Sequence, residues 1–438
     1  MATIRTGNTS HIAENLLDLY QDVVEDLRWV AQKAFYTAQR VQDGNNVSVD
    51  DGMARAYVPT QANSLHMYSF FGQNLTDRQQ AAATTWEIDV EQPGEVEAGV
   101  ARIGAFNPWS SSSLQLNGYA GKFSEQEKEG SYNSTQASQF SFTSDAAFTA
   151  TFAEPSYDYY SDDYEIHGHV SVQASAASRL YSASGEGSEK TRDGRESHNE
   201  VSSYELQSDA GLALADSNPG GTLDGLRYSS KGTAVEGGRK LAWDEAYQFD
   251  QSLQGFGQLL AAAQQNAPGA LQQLTQLLLS GDDSITLTGK AGGELRGGAG
   301  NDSLTGGKGA DRLSGDSGAD TLKGGAGKDI FSFAAGDASL AAPDTVLDFK
   351  TRQDKLHIQI DASTSDVLKL SATQANLEAL LESAGEAFTQ GSLVVFGSDG
   401  RKGYVVVDSD ADRQADMLIE LAGIKSASKL ALSDFLFG

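Results

Sequence analysis

The sequence predicts a mainly β protein with three regions: an N-terminal antiparallel β-rich domain with one long helix over residues 1–249, a helical spacer over 250–280, and a coil of short parallel strands over 281–438. Three observations carry this. Apolar residues recur at helical spacing near the start and around residue 260, two-residue alternation dominates from about Thr84 to Phe249, and a nine-residue period sets in after Gly281. At 438 residues the chain exceeds one ordinary domain of roughly 150.

Between Ser10 and Val41, residues Ile12, Leu16, Leu19, Val23, Leu27, Val30, Ala34, Ala38 and Val41 recur at three and four positions, which is a helical stripe. Ser10 is placed to cap it and Gly44 follows its end, while Trp29, Phe35 and Tyr36 widen its apolar surface, as expected of a helix packed on a core.

The strands come next. Phe140, Phe142, Ala146, Phe148, Ala150 and Phe152 share one parity and Ser141, Thr143, Asp145, Thr149 and Thr151 the other, giving one buried and one wet face. Tyr164 to Ala176 repeats the pattern, and Trp86–Val90, Val100–Phe106, Leu114–Phe123, Tyr204–Leu214 and Leu223–Val235 are further candidates. Antiparallel pairing is expected, because it permits burial on one face only. Leu253, Phe256, Leu259 and Leu260, then Leu271, Leu274, Leu277 and Leu278, predict two short helices separated at Ala267-Pro268-Gly269.

From Gly297 the chain reads GGAGNDSLT, GGKGADRLS, GDSGADTLK, GGAGKDIFS, preceded by a weaker copy, TGKAGGELR. Asp302, Asp311, Asp320 and Asp329 hold the sixth position, Gly300, Gly309, Gly318 and Gly327 the fourth, and Leu304, Leu313, Leu322 and Phe331 the eighth; Leu295 keeps phase in the weak copy. The second position holds Gly298, Gly307 and Gly325, with Asp316 in the third repeat. Glycines allow a tight turn, and the next three residues form a short strand with its apolar side chain inward, so each repeat is half a turn of a flattened coil. Repeats n and n+2 then stack on one edge, Asp302 near Asp320 and Asp311 near Asp329. Their oxygens suit a hard cation. Carboxylates stacked roughly 5 Å apart repel without one.

These residues resemble the calcium-binding nonapeptide of RTX (repeats-in-toxin) proteins, which form a parallel β-roll. The resemblance continues in Asp344-Thr345-Val346-Leu347-Asp348-Phe349 and Gln353-Asp354-Lys355-Leu356, similar to the capping segment of the serralysin-type C-terminal module. Gly403–Asp408 with Ala415–Ile419 resembles that module's capping β-hairpin, and Asp434-Phe435-Leu436-Phe437-Gly438 resembles an uncleaved type I secretion signal. The resemblance implies Ca²⁺ as the bound ion, with Gly298, Gly300, Asp302, Gly307, Gly309, Asp311, Gly318, Asp320, Gly325, Gly327, Asp329, Asp344 and Asp354 as the candidate metal residues. At ten times its dissociation constant, each ion contributes roughly 1.4 kcal/mol to folding.

With 60 acidic against 32 basic residues the formal charge is −28, which disfavours nucleic acid and anionic membrane as partners. No cysteine is present, so disulfides, thiolate nucleophiles and cysteine-ligated metals are excluded. The first residues show no apolar export signal, and no run approaches the roughly 18 to 20 apolar residues of a membrane span.

The first 280 residues hold no HExxH, no GxSxG and no phosphate-binding glycine pattern, so the usual enzyme companions of this module are missing and no catalytic residues are assigned. His167 and His169, with Glu165, are compatible with a transition metal or with a solvated strand face. Four tyrosines among five acids in Glu154–Glu165 suit calcium, carbohydrate or subunit contact, or a plain acidic loop. Asp408-Ser409-Asp410-Ala411-Asp412 starts like an EF-hand loop but has Arg413 where glycine is needed and Ile419 at the twelfth position, and is read as a solvated turn.

The expectation is therefore a secreted, calcium-dependent structural or adhesive protein of the cell surface or extracellular space: a matrix, surface-layer or filament subunit. Its expected partners are the type I secretion machinery, copies of itself as homo-oligomer or polymer, and cell-surface or matrix polysaccharide. A secreted hydrolase or polysaccharide lyase is the alternative, and a small-ligand carrier using His167 and His169 a third.

Overall fold

The computed structural model describes residues 2–6, 9–42, 47–50, 53–61, 64–71, 96–103, 113–129, 131–152, 170–175, 177–213, 221–250, 252–288 and 291–438. The chain is mainly β and divides into two compact units. One comprises Met1–Glu14, Trp243–Gln251 and Leu271–Gly438; the other comprises Asn15–Ala242 and Ser252–Ala270.

Strand β1 (Ala2–Thr6) leads through a 3-10 turn at Thr9–His11 into helix α1 (Ile12–Gln42). The first half of the helix buries the expected stripe: Ile12, Leu16, Leu19, Val23 and Leu27 are all under a tenth exposed, while Glu14, Asp18, Asp22 and Glu25 face out; the side chains of Val30, Ala34, Ala38 and Val41 lie outside the described residues. Its regular part begins two residues after Ser10 because the first turn winds as a 3-10 segment.

The Asn15–Ala242 unit carries an antiparallel meander. Strands β2 (Val47–Asp50), β3 (Met53–Gln61), β4 (Ser64–Phe71), β5 (Val96–Ile103), β6 (Ser113–Glu129) and β7 (Tyr132–Phe152) pair in sequence. Strand β7 then divides its edge: Phe148–Phe152 pairs with β8 (Val170–Ala174) and Tyr132–Asp145 with β9 (Arg179–Asp193). Strands β10 (Glu196–Ala213) and β11 (Gly225–Glu236) extend the order. The antiparallel expectation holds, and four of the strands expected in this region fall within or largely within β5, β6, β10 and β11; Trp86–Val90 lies outside the described residues. Phe142 is buried between half-buried Ser141 and exposed Thr143, the alternation that its neighbours in sequence announce. The buried parity also carries Ser134 and Ser144, and serine hydroxyls pair across strands, Ser141 with Ser184 and Ser203 with Ser229, each at 2.9 Å. This sheet is held by polar ladders as well as by apolar packing.

Strand β12 (Arg239–Phe249) is followed by helices α2 (Phe256–Gln264) and α3 (Ala270–Leu278). They flank Pro268 as the sequence predicts, with Asn266 and Gly269 at positive φ making the turn.

The coil alternates between two parallel sheets. β13 (Ser284–Leu287), β14 (Glu294–Ala299), β15 (Ser303–Thr305), β16 (Arg312–Ser317), β17 (Thr321–Lys323), β18 (Ile330–Ala334), β19 (Asp344–Val346) and β20 (Lys355–Gln359) take the two sheets in turn. Ile285, Leu304, Leu322 and Val346 stack in one sheet and Leu295, Leu313, Phe331 and Leu356 in the other, all fully buried. The inward eighth position is thus the core of the coil.

Beyond it come β21 (Val367–Lys369), α4 (Leu377–Thr389), β22 (Val394–Ser398), β23 (Gly403–Val407), β24 (Met417–Leu421) and β25 (Phe435–Phe437). Helix α4, capped by Asn376 accepting from the Ala379 N–H at 2.9 Å, packs Leu380, Ala384 and Phe388 against Val395, Tyr404 and Leu418. Strand β24 joins the first sheet beside β19 and β25 joins the second beside β20. At the leading end, β1 pairs parallel with β13 and antiparallel with β12.

Candidate metal centre

Each coil turn presents its sixth-position aspartate to the backbone of the turn before it. The N–H of Asp302 donates to Asp320 Oδ1 at 2.7 Å and that of Asp320 to Asp344 Oδ1 at 2.9 Å. On the other edge the N–H of Gly293 donates to Asp311, that of Asp311 to Asp329 and that of Asp329 to Asp354, at 3.0, 3.1 and 3.2 Å. The structure therefore brings the expected aspartates together as two columns, Asp302–Asp320–Asp344 and Asp311–Asp329–Asp354. All six are at most 2% exposed.

One oxygen of each carboxylate is used in this way, and for several the second is not. The Oδ2 atoms of Asp302, Asp320, Asp329 and Asp344 are buried without a hydrogen-bond partner, as is that of Asp283. An anionic oxygen out of water and unpaired is costly, so such sites call for a proton or a cation. Burial raises the carboxyls, opposed by the inter-turn hydrogen bonds and reinforced by neighbouring acids: Asp302 to about 7, Asp320 and Asp329 to about 6, Asp344 to about 8. Asp354 is raised as well, by burial against two hydrogen bonds. A set of hard oxygens with no nitrogen or sulfur among them fits calcium, and these residues pass that test on their own geometry.

The glycines fit the same scheme. Gly318 and Gly327 have φ of +145° and +146°, and a Cβ on either would sit 1.7 Å from the carbonyl oxygen of the glycine one turn earlier, Gly300 or Gly309. The turns stack backbone to backbone, leaving no room for a side chain. Gly298, Gly300 and Gly325 also have positive φ. A Cβ on Gly309 would meet Ala291 and Gly292 of the turn before, and the Gly307 carbonyl lies against Gly325. Asp316, the departure from the pattern, adopts φ +62° and is held by Arg296, whose guanidinium donates to both carboxylate oxygens at 3.0 and 2.7 Å.

At the trailing end Asp348 accepts the N–H groups of Gly324 and Gly325 at 2.8 and 2.9 Å. Asp434, fully buried, accepts from Thr351 Oγ1 at 2.5 Å and from the Arg352 and Ala431 N–H groups at 2.7 and 2.9 Å.

His167, His169, Glu165 and the Glu154–Glu165 segment lie outside the described residues. The hairpin loop between β23 and β24, expected as a solvated turn, brings a carboxylate oxygen from each of Asp408, Asp410 and Asp416 within 4.8 Å of one another. Asp408 is 1% exposed and its Oδ1 has no partner. Counted from Asp408, the group takes the first, third and ninth positions of an EF-hand loop, while the sixth-position glycine and the twelfth-position acid that complete such a loop are missing.

Asp283 is the site residue that reading the repeats does not find. Gly281-Asp282-Asp283-Ser284-Ile285-Thr286 matches the fourth to ninth positions of a repeat, but Leu287 is an extra residue before TGKAGGELR, and steps of nine pass over it. Its register shows the offset, since Ile285 pairs with Leu304.

Residues 288–322 and 306–340 match the RTX calcium-binding nonapeptide repeat (4 copies). No curated protein matches the chain. Among solved structures, the chain is similar to the AlgE6R3 subunit from the Azotobacter vinelandii mannuronan C5-epimerase, at 27% identity and a TM-score of 0.25, covering 36% of this chain and 78% of that one. The AlgE6R2 subunit of the same enzyme matches at 28% identity and a TM-score of 0.26, covering 36% and 88%.

Proposed function

We propose, from the premise that the chain is of RTX type and binds Ca²⁺ through its repeats, that it is a secreted protein whose C-terminal coil folds on calcium outside the cell and whose N-terminal sheet serves a structural or adhesive role. The observation that carries this reading is the pair of buried aspartate columns, in which the Oδ2 atoms of Asp302, Asp320 and Asp344 on one edge and of Asp329 on the other are without a partner. The residues in these columns are the proposed ligands: Asp302, Asp320 and Asp344 on one edge, Asp311, Asp329 and Asp354 on the other, with carbonyls of the glycine turns at Gly298, Gly300, Gly307, Gly309, Gly318, Gly325 and Gly327. A bound calcium ion supplies positive charge to carboxylates that otherwise repel across adjacent turns. Extracellular modules take calcium at about 10⁻⁴ to 10⁻³ M, far above cytosolic supply, so the coil stays unfolded until export.

The trailing end supports the same order of events. Asp434 and β25, the segment that resembles a type I secretion signal, are built into the folded coil. An export machine reading that segment therefore meets it before folding. Among the described residues no helix is long and apolar enough to cross a membrane.

Self-association is supported by the meander, whose strands β9 and β10 keep Ser, Thr, Gln and Glu residues half-exposed or exposed along most of their length, and where Val201 is 56% exposed. Light scattering and electron microscopy on dialysis from EGTA into millimolar calcium test it. Growth of the scattering particle with calcium is expected; a product that stays monomeric at all calcium concentrations overturns the assembly role.

A further inference from the structure

We infer that Asp283 holds a further calcium ion at the leading end of the coil, in a site that strand β1 caps. The inference rests on the calcium reading of the repeats and extends it to residues outside them.

Asp283 stands where a repeat aspartate stands. Its backbone N–H donates to Asp302 Oδ1 at 2.7 Å, as the N–H of Asp302 does to Asp320. It is 3% exposed and its Oδ2 has no partner. The Gly281 carbonyl faces Gly300, where a Cβ would come within 2.4 Å of it, as the Gly300 carbonyl faces Gly318. The column thus begins one turn before the first complete repeat.

A repeat aspartate also needs a preceding turn to donate to its Oδ1, and no coil turn precedes this one. Strand β1 takes the place. The Ala2 N–H donates to Asp283 Oδ1 at 2.5 Å, and Thr3–Thr6 pair with Ser284–Leu287 in the same parallel sense as Ser284–Thr286 pair with Ser303–Thr305. On the companion sheet, Thr9 Oγ1 accepts the Arg296 N–H at 3.0 Å and donates to the Glu294 carbonyl at 3.4 Å. Strand β1 and Thr9 therefore take the part of a coil turn, supplied from more than 280 positions away in sequence. Because β1 holds the carboxylate whose second oxygen awaits a cation, docking of β1 and binding of that ion stabilise each other.

The test uses the full chain, stripped with EDTA and titrated with calcium chloride by isothermal calorimetry, beside the near-isosteric Asp283→Asn. One ion fewer per chain is expected in the variant. In parallel, hydrogen–deuterium exchange of the unmodified chain follows the peptide covering residues 2–9, which calcium is expected to slow at least tenfold. Equal stoichiometry in a folded variant overturns the inference. So does exchange of residues 2–9 that calcium leaves unchanged while the repeats become protected, and this second readout decides the matter should the variant misfold. A wild-type chain that binds no calcium at all sinks the reading of the repeats, and this inference with it.

Discussion

At the scale of single residues, the coil is governed by positions where only one kind of atom fits. Gly318 is the sharpest case, with φ +145° and the Gly300 carbonyl 1.7 Å from where a Cβ would be. Gly318→Ala must push the stacked turns apart or distort both, at a cost of at least about 2 kcal/mol. The free calcium needed to fold the coil, followed by circular dichroism, is expected to rise severalfold; an unchanged midpoint contradicts the stacking. Asp316 shows the converse. A non-glycine residue in the left-handed region is tolerated there because an Asp side chain accepts that conformation and Arg296 grips it on both oxygens.

At the scale of elements, the short coil strands have three to six residues each and no stability of their own. What holds them is the pair of apolar columns. Leu313 sits between Leu295 and Phe331 with no exposure, so Leu313→Ala opens a cavity inside the second sheet and is expected to cost about 2–5 kcal/mol. Thermal unfolding in saturating calcium measures it, and a loss below about 1 kcal/mol shows that the column is not the core. These strands are legible because one residue type recurs at one spacing. Helix α4 is not anticipated, although Leu377, Leu380, Leu381, Ala384 and Phe388 follow helical spacing, because the short apolar run of Leu393–Phe396 after it and the better marked hairpin favour strands. Strand β1 has no legible signal at all: five residues, Ala-Thr-Ile-Arg-Thr, alternate too briefly to be told from a loop, and their partners lie more than 240 positions onward.

At the scale of the whole molecule, acidity and folding are linked. The coil carboxyls are raised by burial to about 6 for Asp320 and Asp329, about 7 for Asp302 and about 8 for Asp344, against roughly 4 in an unfolded chain. The folded state therefore holds more protons than the unfolded one. Their contribution to stability is complete below about pH 4 and disappears as pH rises through 6 to 8, Asp344 last. In chelator the coil is thus expected to be more folded at pH 5 than at pH 8, and in calcium the ion has to displace those protons, so its apparent affinity falls as pH drops over the same range. Circular dichroism across pH 4–9, with and without EDTA, checks both; a chelated coil equally folded at both ends contradicts the carboxylate columns as the controlling groups.

The amino-acid order by itself determined the repeat, its two edges, its inward apolar positions and its preference for a hard cation, because each depends on residues nine or eighteen positions apart whose relation is set by one local turn repeated. It also determined the antiparallel character of the N-terminal sheet through alternation within strands. Only the tertiary structure decided that the column starts at Asp283 rather than Asp302 and that strand β1 and Thr9 close its leading end. Those relations join segments of unrelated periodicity, where an inserted residue such as Leu287 breaks the count but leaves the hydrogen-bonding of the backbone intact. Backbone N–H and C=O groups are the same at every position, so which strand they choose is settled by the closing of the fold.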